Sequence, residues 1–213
     1  MKKIITLLLL ALIVQVSFAQ EKDEKIKEED TMKTLFSKDN LKFTGGYLAP
    51  EIKVGNVHED ISLLIGGKMG FTFNDHFTIG LAGFGLTNNS NFDINDNPAD
   101  PARIGMGYGG LNLEYTFFSD KKIHFTIPVV LGAAGIYVYE DDGDFFSDQF
   151  NEIENSAAFV VEPGINIELN MFKFFRIDLG ASYRLIEGTA LQYLSDEDLS
   201  DLTFNVGFKF GFF

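Results

Sequence analysis

The stretch that decides the fold is Leu202-Thr-Phe-Asn-Val-Gly-Phe-Lys-Phe-Gly-Phe-Phe213, the last twelve residues of the sequence. Its even-numbered residues are all apolar and bulky, whereas its odd-numbered residues up to Gly211 are polar or small. Strict alternation over about ten residues predicts a strand with one apolar face and one polar face. Such a strand, ending on an aromatic residue, is typical of the closing strand of a transmembrane β-barrel.

Seven similar segments precede it, so that the predicted strands are 43–54, 61–73, 76–87, 103–118, 122–139, 156–170, 174–186 and 202–213. The connections alternate in length. Tight turns are expected at Asn74-Asp75, at 119–121 and at 171–173, and longer polar connections near 55–60, 88–101, 140–155 and 187–201. Short turns on one rim and long loops on the other are the periplasmic and extracellular sides of bacterial barrels. We therefore predict an all-β protein, an eight-stranded antiparallel up-and-down transmembrane β-barrel in the cell outer membrane.

The amino-terminal region predicts export. Lys2 and Lys3, the apolar run 4–14 and the small residues before Gln20 are typical of a secretory signal peptide at 1–19. Residues 20–42 carry many charges of both signs, and we expect a charged periplasmic segment there. The barrel domain is then 43–213. The chain contains no cysteine, which excludes disulfides and thiolate metal sites.

The second face of the predicted strands distinguishes a membrane barrel from a secreted soluble one. Glycines and a few charges occupy it, among them Gly66, Lys68, Gly80, Gly110, Glu114, His124 and Gly132. Glycine weakens a strand and suits a solvated surface poorly, whereas small residues suit the narrow lumen of eight strands. Aromatic residues also gather beside the short turns, which is typical of a membrane-interface girdle. These features favour the membrane barrel.

Three prolines fall within predicted strands, at Pro50, Pro128 and Pro163. A closed barrel has no free edge for a residue without an N–H, so we expect a bulge or irregular pairing at each. The segments 45–54 and 103–110 do not show clearly which residues face inward.

Charge limits the partners. The formal net charge of −14 at pH 7 argues against nucleic acid. Most of the excess acid lies in the long connections, and Asp141-Asp142-Gly143-Asp144 is the best candidate for binding divalent cations, although solvated loops are the favoured interpretation. No cofactor is expected. The expected partners are outer-membrane lipid, lipopolysaccharide and the barrel-insertion machinery.

The polar face also predicts a charged lumen. We expect Glu162 to lie near Arg184, and Glu168 near Arg176 or Asp178, because opposing residues of this hairpin should have numbers that sum to about 344–346. Glu114 and Lys68 belong to the same network. Either the charges guide a solute, or they pair and fill the barrel; pairing is favoured, because an eight-stranded lumen is only wide enough for side chains.

A lipid-modifying enzyme is the sharpest alternative of another class. It would need an activated serine, or a histidine oriented by a carboxylate, near the outer leaflet. Of three histidines only His58, next to Glu59, is predicted on the outer side; His76 and His124 adjoin short turns. We therefore predict no enzymatic activity.

The chain resembles a family of uncharacterised small outer-membrane barrels from Bacteroidota. The segments that carry the resemblance lie at 45–54, 65–71, 76–86, 107–118, 161–169 and 174–184. It implies the fold and the compartment, but no activity and no functional residues. Such barrels end in a lipid-facing aromatic residue, so Phe212 and Phe213 are the implied insertion signal. Asp30-Thr31-Met32 is similar to the O-glycosylation site used in this phylum.

The sequence as a whole predicts a non-enzymatic outer-membrane barrel with a structural or surface-interaction role. The lumen is expected to be filled by side chains, and the extracellular loops to be acidic. A narrow pore for small solutes is the alternative function, and a lipid-modifying enzyme is the second.

Overall fold

A computed structural model describes residues 41–58, 60–87, 90–93, 101–140 and 152–213, with the backbone alone at 90–93 and at 101. The predicted signal peptide at 1–19, the segment 20–42 apart from Leu41 and Lys42, Thr31, and the acidic stretch 141–151 lie outside these residues. Within the described ranges, no helix has the length and apolar character needed to cross a membrane.

The described chain is built from antiparallel strands. They are β1 (Phe43–Val57), β2 (Asp60–Phe73), β3 (Phe77–Leu86), β4 (Ser90–Asp93), β5 (Pro101–Phe117), β6 (Ile123–Glu140), β7 (Glu152–Phe172), β8 (Phe175–Glu187) and β9 (Asp201–Phe212). The last strand pairs with the first, and β3 pairs with β5, so the ring closes. The short β4 only extends the outer end of β5. The predicted eight-stranded up-and-down barrel is confirmed.

Connection lengths agree with the prediction at the short-turn rim. Asn74 and Asp75 have φ angles of 52° and 60°, the conformation that a tight hairpin turn requires.

At the other rim, the prediction of a longer connection near 55–60 is wrong. Val57 pairs with Asp60, so only two residues join β1 to β2. The ladder continues because Val57 packs inward and is fully buried.

The outward face is an apolar belt. Phe71, Phe204 and Phe212 are 63%, 61% and 65% exposed, and most outward residues beside them are Leu, Ile, Val or Phe. A soluble barrel would carry polar residues here, because an exposed apolar surface of this extent needs a lipid or protein partner. Aromatic pairs such as Tyr115–Phe117 and Phe175–Phe210 (ring centroids 4.8 and 4.9 Å apart) lie near the short turns. This belt and girdle are those of a membrane barrel.

The inward face has two different halves, and the sequence predicted only one. Near the short turns it is polar and charged, as expected. Toward the long loops it is an apolar layer, whose fully buried members include Val57, Leu64, Ile136 and Val138. In that half of the lumen the expectation of a polar second face is wrong, because both faces of the strands are apolar there. The unclear segments are resolved: the side chains of 47, 49, 51 and 53, and of 104, 106 and 108, point inward.

Each of the three prolines interrupts one ladder, as predicted. Pairing of β1 with β9 passes from Leu48↔Phe210 directly to Glu51↔Gly207, which skips Pro50. The β6–β7 ladder skips Pro128, and the β7–β8 ladder skips Pro163. The opposite neighbour of each proline remains paired, so the missing N–H affects one side of the strand only.

Glycine is required where strands approach closely. Gly110 and Gly132 face each other across β5 and β6. A Cβ atom on Gly132 would overlap the carbonyl oxygen of Gly109, and one on Gly110 would overlap that of Leu131. The inward glycines therefore allow tight curvature of the barrel wall, besides leaving room in the lumen.

Candidate functional site

The lumen collects nearly all the buried charge of the described chain. Strands from every part of the ring contribute to it. The carboxylates are Glu51, Glu114, Glu162, Glu168 and Asp178, and the cations are Lys53, Lys68, Lys209, Arg176 and Arg184. All of these except Arg176 are at most 3% exposed. Five acids facing five bases leave the lumen close to neutral, as burial of so many charges requires.

An inner cluster is centred on Lys209 of β9. Its ammonium lies 2.6 Å from Glu168, 3.0 Å from Glu114 and 3.6 Å from Asp178. The Tyr47 hydroxyl donates a hydrogen bond of 2.7 Å to Glu114. One lysine therefore holds together strands from three parts of the ring.

Glu168 receives further donors from its own side of the barrel. The Thr126 hydroxyl donates to it at 2.6 Å, and His124 Nε2 lies 3.1 Å away. Arg176 Nη1 is farther, at 3.5 Å. The carboxylate of Glu168 therefore has closer hydrogen-bond partners than Arg176. The contact between Arg176 and Glu168 is correspondingly weak.

A second cluster lies between the inner cluster and the apolar layer. The Lys53 ammonium is 2.7 Å from Glu162, and it lies 3.7 Å from the centre of the Phe84 ring. The hydroxyls of Tyr108 and Ser182 donate to Glu162 at 2.8 and 2.6 Å. Lys68 and Glu51 form a neighbouring ion pair at 2.9 Å.

The β7–β8 register agrees with the predicted positions of Glu162 and Arg184, but the two side chains bind other partners. Neighbouring residues of β7 and β8 do follow the predicted sum, as in Glu168↔Asp178. The charge partner of Glu162, however, is Lys53 from across the lumen. Arg184 instead donates to the backbone carbonyls of Leu199 and Asn56, at 2.9 and 2.7 Å. Glu162 and Arg184 thus occupy opposing positions in the β7–β8 register, but the ion-pair partner of Glu162 and the carbonyls that Arg184 binds lie outside this hairpin.

The connection from β8 to β9 closes the outer end of the lumen. Leu194 and Leu199 are 3% and 0% exposed and belong to the apolar layer. Asp196 accepts hydrogen bonds from the backbone N–H groups of Gly188 and Thr189, and Asp198 accepts one from Ser195. The acidic side chains at 187–201 were predicted to be solvated, but Asp196 and Asp198 stabilise the fold of this connection.

A vestibule of about 900 Å³ lies at the opposite end, within the short-turn rim. Its floor is formed by the inner cluster, and its walls carry hydroxyl groups. Its lining also includes Asn170, Lys173, Arg176 and Phe213, together with Asp75 and Asp120 of two turns. The Lys121 ammonium, 2.6 Å from Asp120, lowers the pKa of that carboxyl through a hydrogen bond.

The last two residues have opposite orientations. Phe212 lies on the lipid face, which keeps the parity of β9. Phe213 turns toward the vestibule, where its ring centre lies 3.7 Å from the guanidinium carbon of Arg176. Only Phe212 is therefore in the position of a lipid-facing terminal aromatic residue.

Sequence reasoning omitted several members of the lumen network. Lys209 could have been predicted, because it is one of the odd-numbered, polar residues of the closing strand 202–213. Glu51 and Lys53 lie in the segment whose parity was unclear. Tyr47 and Tyr108 had no signal, since inward tyrosines cannot be distinguished from lipid-facing ones without the barrel.

His124 and His76, the two histidines near the short turns, contact a carboxylate and backbone carbonyls. Glu59, the expected neighbour of His58 in a lipid-modifying site, lies outside the described residues. His124 Nε2 faces Glu168, and its Nδ1 lies 3.4 Å from the carbonyl of Lys121, so neither nitrogen faces a serine. His76 Nδ1 lies 2.8 Å from the carbonyl of Thr116. Among the described residues, no group of three or more His, Asp or Glu is arranged to hold a metal ion.

Comparisons with known proteins agree with this geometry. The family model for the outer membrane protein beta-barrel domain matches residues 5–212. The structure is similar to Neisserial surface protein A, at 10% identity over 80% of this chain and 97% of that one, with a TM-score of 0.55. It is also similar to Ail of Yersinia pestis in complex with the heparin analogue sucrose octasulfate (11%, 80% and 100%, 0.50). A major outer membrane protein of Thermus thermophilus is a third (12%, 78% and 99%, 0.50). At these identities the likeness shows the fold alone. Comparison of the sequence with curated proteins finds no match.

Proposed function

We propose, from the premise that this chain belongs to the family of outer membrane protein beta-barrel domains, that it is a closed, non-enzymatic barrel whose role is structural or surface-interactive. Its location is the outer membrane. The sequence resemblance described above supports an origin in Bacteroidota. The barrel itself serves to hold the outer connections at the cell surface.

The observation that carries the proposal is the double obstruction of the lumen. The inner half is crossed by ion pairs such as Lys209–Glu168 and Lys53–Glu162. The outer half is filled by the apolar layer, to which Leu194 and Leu199 of the β8–β9 connection belong. A hydrated ion would have to displace both, and an apolar constriction also opposes wetting.

Planar-bilayer conductance of the refolded full chain tests this proposal. Only material whose folded form shifts on unheated gels is used, and a known porin added to the same bilayer verifies its sensitivity. We expect no discrete channel steps from the folded protein. Reproducible steps would contradict the closed barrel and favour a narrow pore for small solutes.

The non-enzymatic part of the proposal is supported by His124 and His76, which lie at the short-turn rim and whose ring nitrogens contact a carboxylate and backbone carbonyls. Mass spectrometry of lipid A from cells that lack or overproduce the protein tests it. We expect identical lipid A in both. A change in acyl chains or phosphates that follows the level of the protein would establish the lipid-modifying alternative.

The outer rim is acidic in its described part, which supports a cationic partner. Glu140, Glu152, Glu187 and Glu197 are all exposed there. Ail is crystallised with a polyanion, sucrose octasulfate; the acidic rim would repel such a ligand. We expect this rim to contact divalent cations or cationic groups between lipopolysaccharide molecules.

Binding of a pentalysine peptide to the folded protein tests the sign of this surface. We expect binding that weakens as salt is added, and none of sucrose octasulfate. The double variant Glu187→Lys, Glu197→Lys should bind the peptide more weakly. Preference of the native protein for sucrose octasulfate would contradict an acidic recognition surface.

A further inference from the structure

Two neighbouring turns at the short-turn rim carry exposed lysines and phenylalanines. They are residues 118–122, between β5 and β6, and residues 171–174, at the end of β7 and in the turn to β8. We call these two segments together the basic-aromatic patch. Its charged side chains, all exposed, are Lys121, Lys122, Lys173 and Asp120. Three cations against one acid give this surface a positive charge, whereas the turn between β2 and β3 carries Asp75 and no lysine.

Hydrogen bonds hold the two segments of the patch together. Asn170 Nδ2 donates to the carbonyl of Lys121 at 2.8 Å, and the backbone N–H of Asn170 donates to the carbonyl of Lys122 at 2.9 Å. Within the first segment, the N–H of Lys121 donates to the carbonyl of Phe118 at 2.9 Å. The backbone that carries the lysines is therefore fixed, while their side chains lie on the surface.

The positive charge of the patch is only partly balanced by the protein itself. Asp120 lies 2.6 Å from the ammonium of Lys121 and neutralises that lysine. The described part of the chain gives neither Lys122 nor Lys173 an ion-pair partner. These two ammonium groups can therefore bind anionic groups that approach from outside the barrel.

The acids of the vestibule do not compensate this charge. Glu114 and Glu168 are almost fully buried, and both are bound by Lys209, at 3.0 and 2.6 Å. Asp75 belongs to the turn between β2 and β3, to which the backbone of the exposed Lys42 is hydrogen-bonded. The unbalanced positive charge of the described rim therefore lies on the patch.

Aromatic residues place the patch at the edge of the lipid face. Phe172 and Phe174 are exposed and stack on each other, with ring centroids 5.7 Å apart. Phe172 also stacks on Phe175, which in turn stacks on Phe210 of the girdle at 4.9 Å. Phe118 is exposed as well, at a φ of 57° that bulky residues rarely adopt. Exposed aromatic rings that continue the girdle, with lysines beside them, are typical of the depth at which lipid headgroups lie.

We propose that the basic-aromatic patch binds anionic phospholipid of the periplasmic leaflet. The headgroup phosphate contacts the ammonium groups of Lys122 and Lys173, while Lys121 adds charge. Phe172 and Phe174 lie against the acyl chains beside the same headgroup. The acidic outer rim repels anions, so the two rims of the barrel suit different leaflets of the membrane.

The experiment uses the absence of tryptophan from this chain, because a single introduced tryptophan then reports its own surroundings. Phe174→Trp places the probe in the patch. Phe71→Trp places a matched probe on the lipid face of β2, which β1 and β9 separate from β8. Each full-length protein is refolded into phosphatidylcholine vesicles, and its folded form is verified by the gel shift. The fraction of brominated phosphatidylglycerol or brominated phosphatidylcholine is then raised, and the quenching of tryptophan fluorescence gives the relative affinity of each lipid at the probe.

We expect the Phe174→Trp protein to bind phosphatidylglycerol about fivefold more strongly than phosphatidylcholine, because lysines at a membrane surface attract anionic lipid. The preference should decrease as salt is added. Adding Lys122→Gln and Lys173→Gln to this protein should abolish the preference, whereas adding Lys42→Gln, an exposed lysine of the same rim, should not. The Phe71→Trp protein should show little preference.

Equal quenching of the Phe174→Trp protein by the two lipids would overturn the proposal. The same preference at Phe71→Trp would do so too, since it would indicate a general attraction of the lipid to the protein. A preference that survives the loss of both lysines would also contradict it. Equal quenching by the lipids, combined with a spectral shift on addition of a hexaglutamate peptide, would assign the patch to a soluble acidic partner instead. Comparison of the two probes decides by itself if the lysine variant does not fold.

Discussion

Replacing Lys209 with methionine tests whether the inner ion-pair cluster stabilises the barrel. Methionine keeps most of the volume of the lysine stem but removes the charge. The change leaves Glu168, Glu114 and Asp178 without the ammonium that lies 2.6, 3.0 and 3.6 Å from them. Because all four side chains are at most 2% exposed, water cannot readily replace the lost partner.

The magnitude follows from burial. Removing one partner of a buried ion pair costs about 3–5 kcal/mol, since an uncompensated charge stays behind. Tyr47 and Thr126 still donate to two of the carboxylates, which favours the lower end, about 3 kcal/mol. Lys121→Met is the matched control: its ammonium is also 2.6 Å from a carboxylate, that of Asp120, but these side chains are 64% and 70% exposed. Loss of such an exposed pair should change the free energy of unfolding very little, because water and salt screen it.

The assay is equilibrium unfolding in urea of the full chain inserted in lipid vesicles. Because the chain contains no tryptophan, circular dichroism and the gel shift of unheated samples follow the transition. If Lys209→Met fails to insert, the folded fraction of the double variant Lys209→Met/Glu168→Gln is measured instead. It should exceed that of Lys209→Met, because removing one acid together with the base should restore part of the stability. Equal, small losses for Lys209→Met and Lys121→Met would refute the reasoning.

Further substitutions test other parts of the barrel. Arg184→Ala removes the hydrogen bonds to two backbone carbonyls and should lower the free energy of unfolding by about 2–3 kcal/mol without creating conductance; a large conductance would show that this side chain blocks a pore. Gly132→Ala should sharply reduce the folded fraction on unheated gels, whereas Gly107→Ala, whose Cβ would meet nothing nearer than 3.7 Å, should not; equal yields would argue against close strand approach. Phe212→Ala should reduce insertion into the outer membrane in cells, measured by fractionation, while Phe213→Ala should not; the reverse would make Phe213 the insertion signal.

Most of the fold could be predicted because a strand in a membrane barrel has a simple period. Residues 202–213 show that period most clearly, and β9 covers 201–212. The prediction failed near 55–60, where polar residues suggested a loop. There the pairing of Val57 with Asp60 continues, because inward packing of Val57 outweighs the weak strand preference of Gly55 and Asn56.

The candidate site was predicted only in part. Parity identified Glu162, Glu168 and Asp178 as members of the polar face, but it could not identify their partners. Lys53 and Glu162 are 109 positions apart, and Lys209 and Glu114 are 95 apart. No local pattern relates such residues, since the contact exists only after the ring has closed.

The sequence by itself determined that the chain is a membrane-spanning barrel, because alternation, inward glycine and outward aromatic residues are properties of single strands. The tertiary structure alone decided how the lumen is filled. Strand stagger and closure set which side chains meet across it, and they bring Leu194 and Leu199 of a connection onto the apolar layer. The same closure turned Phe213 inward beneath Arg176 and formed the vestibule, which no single strand encodes.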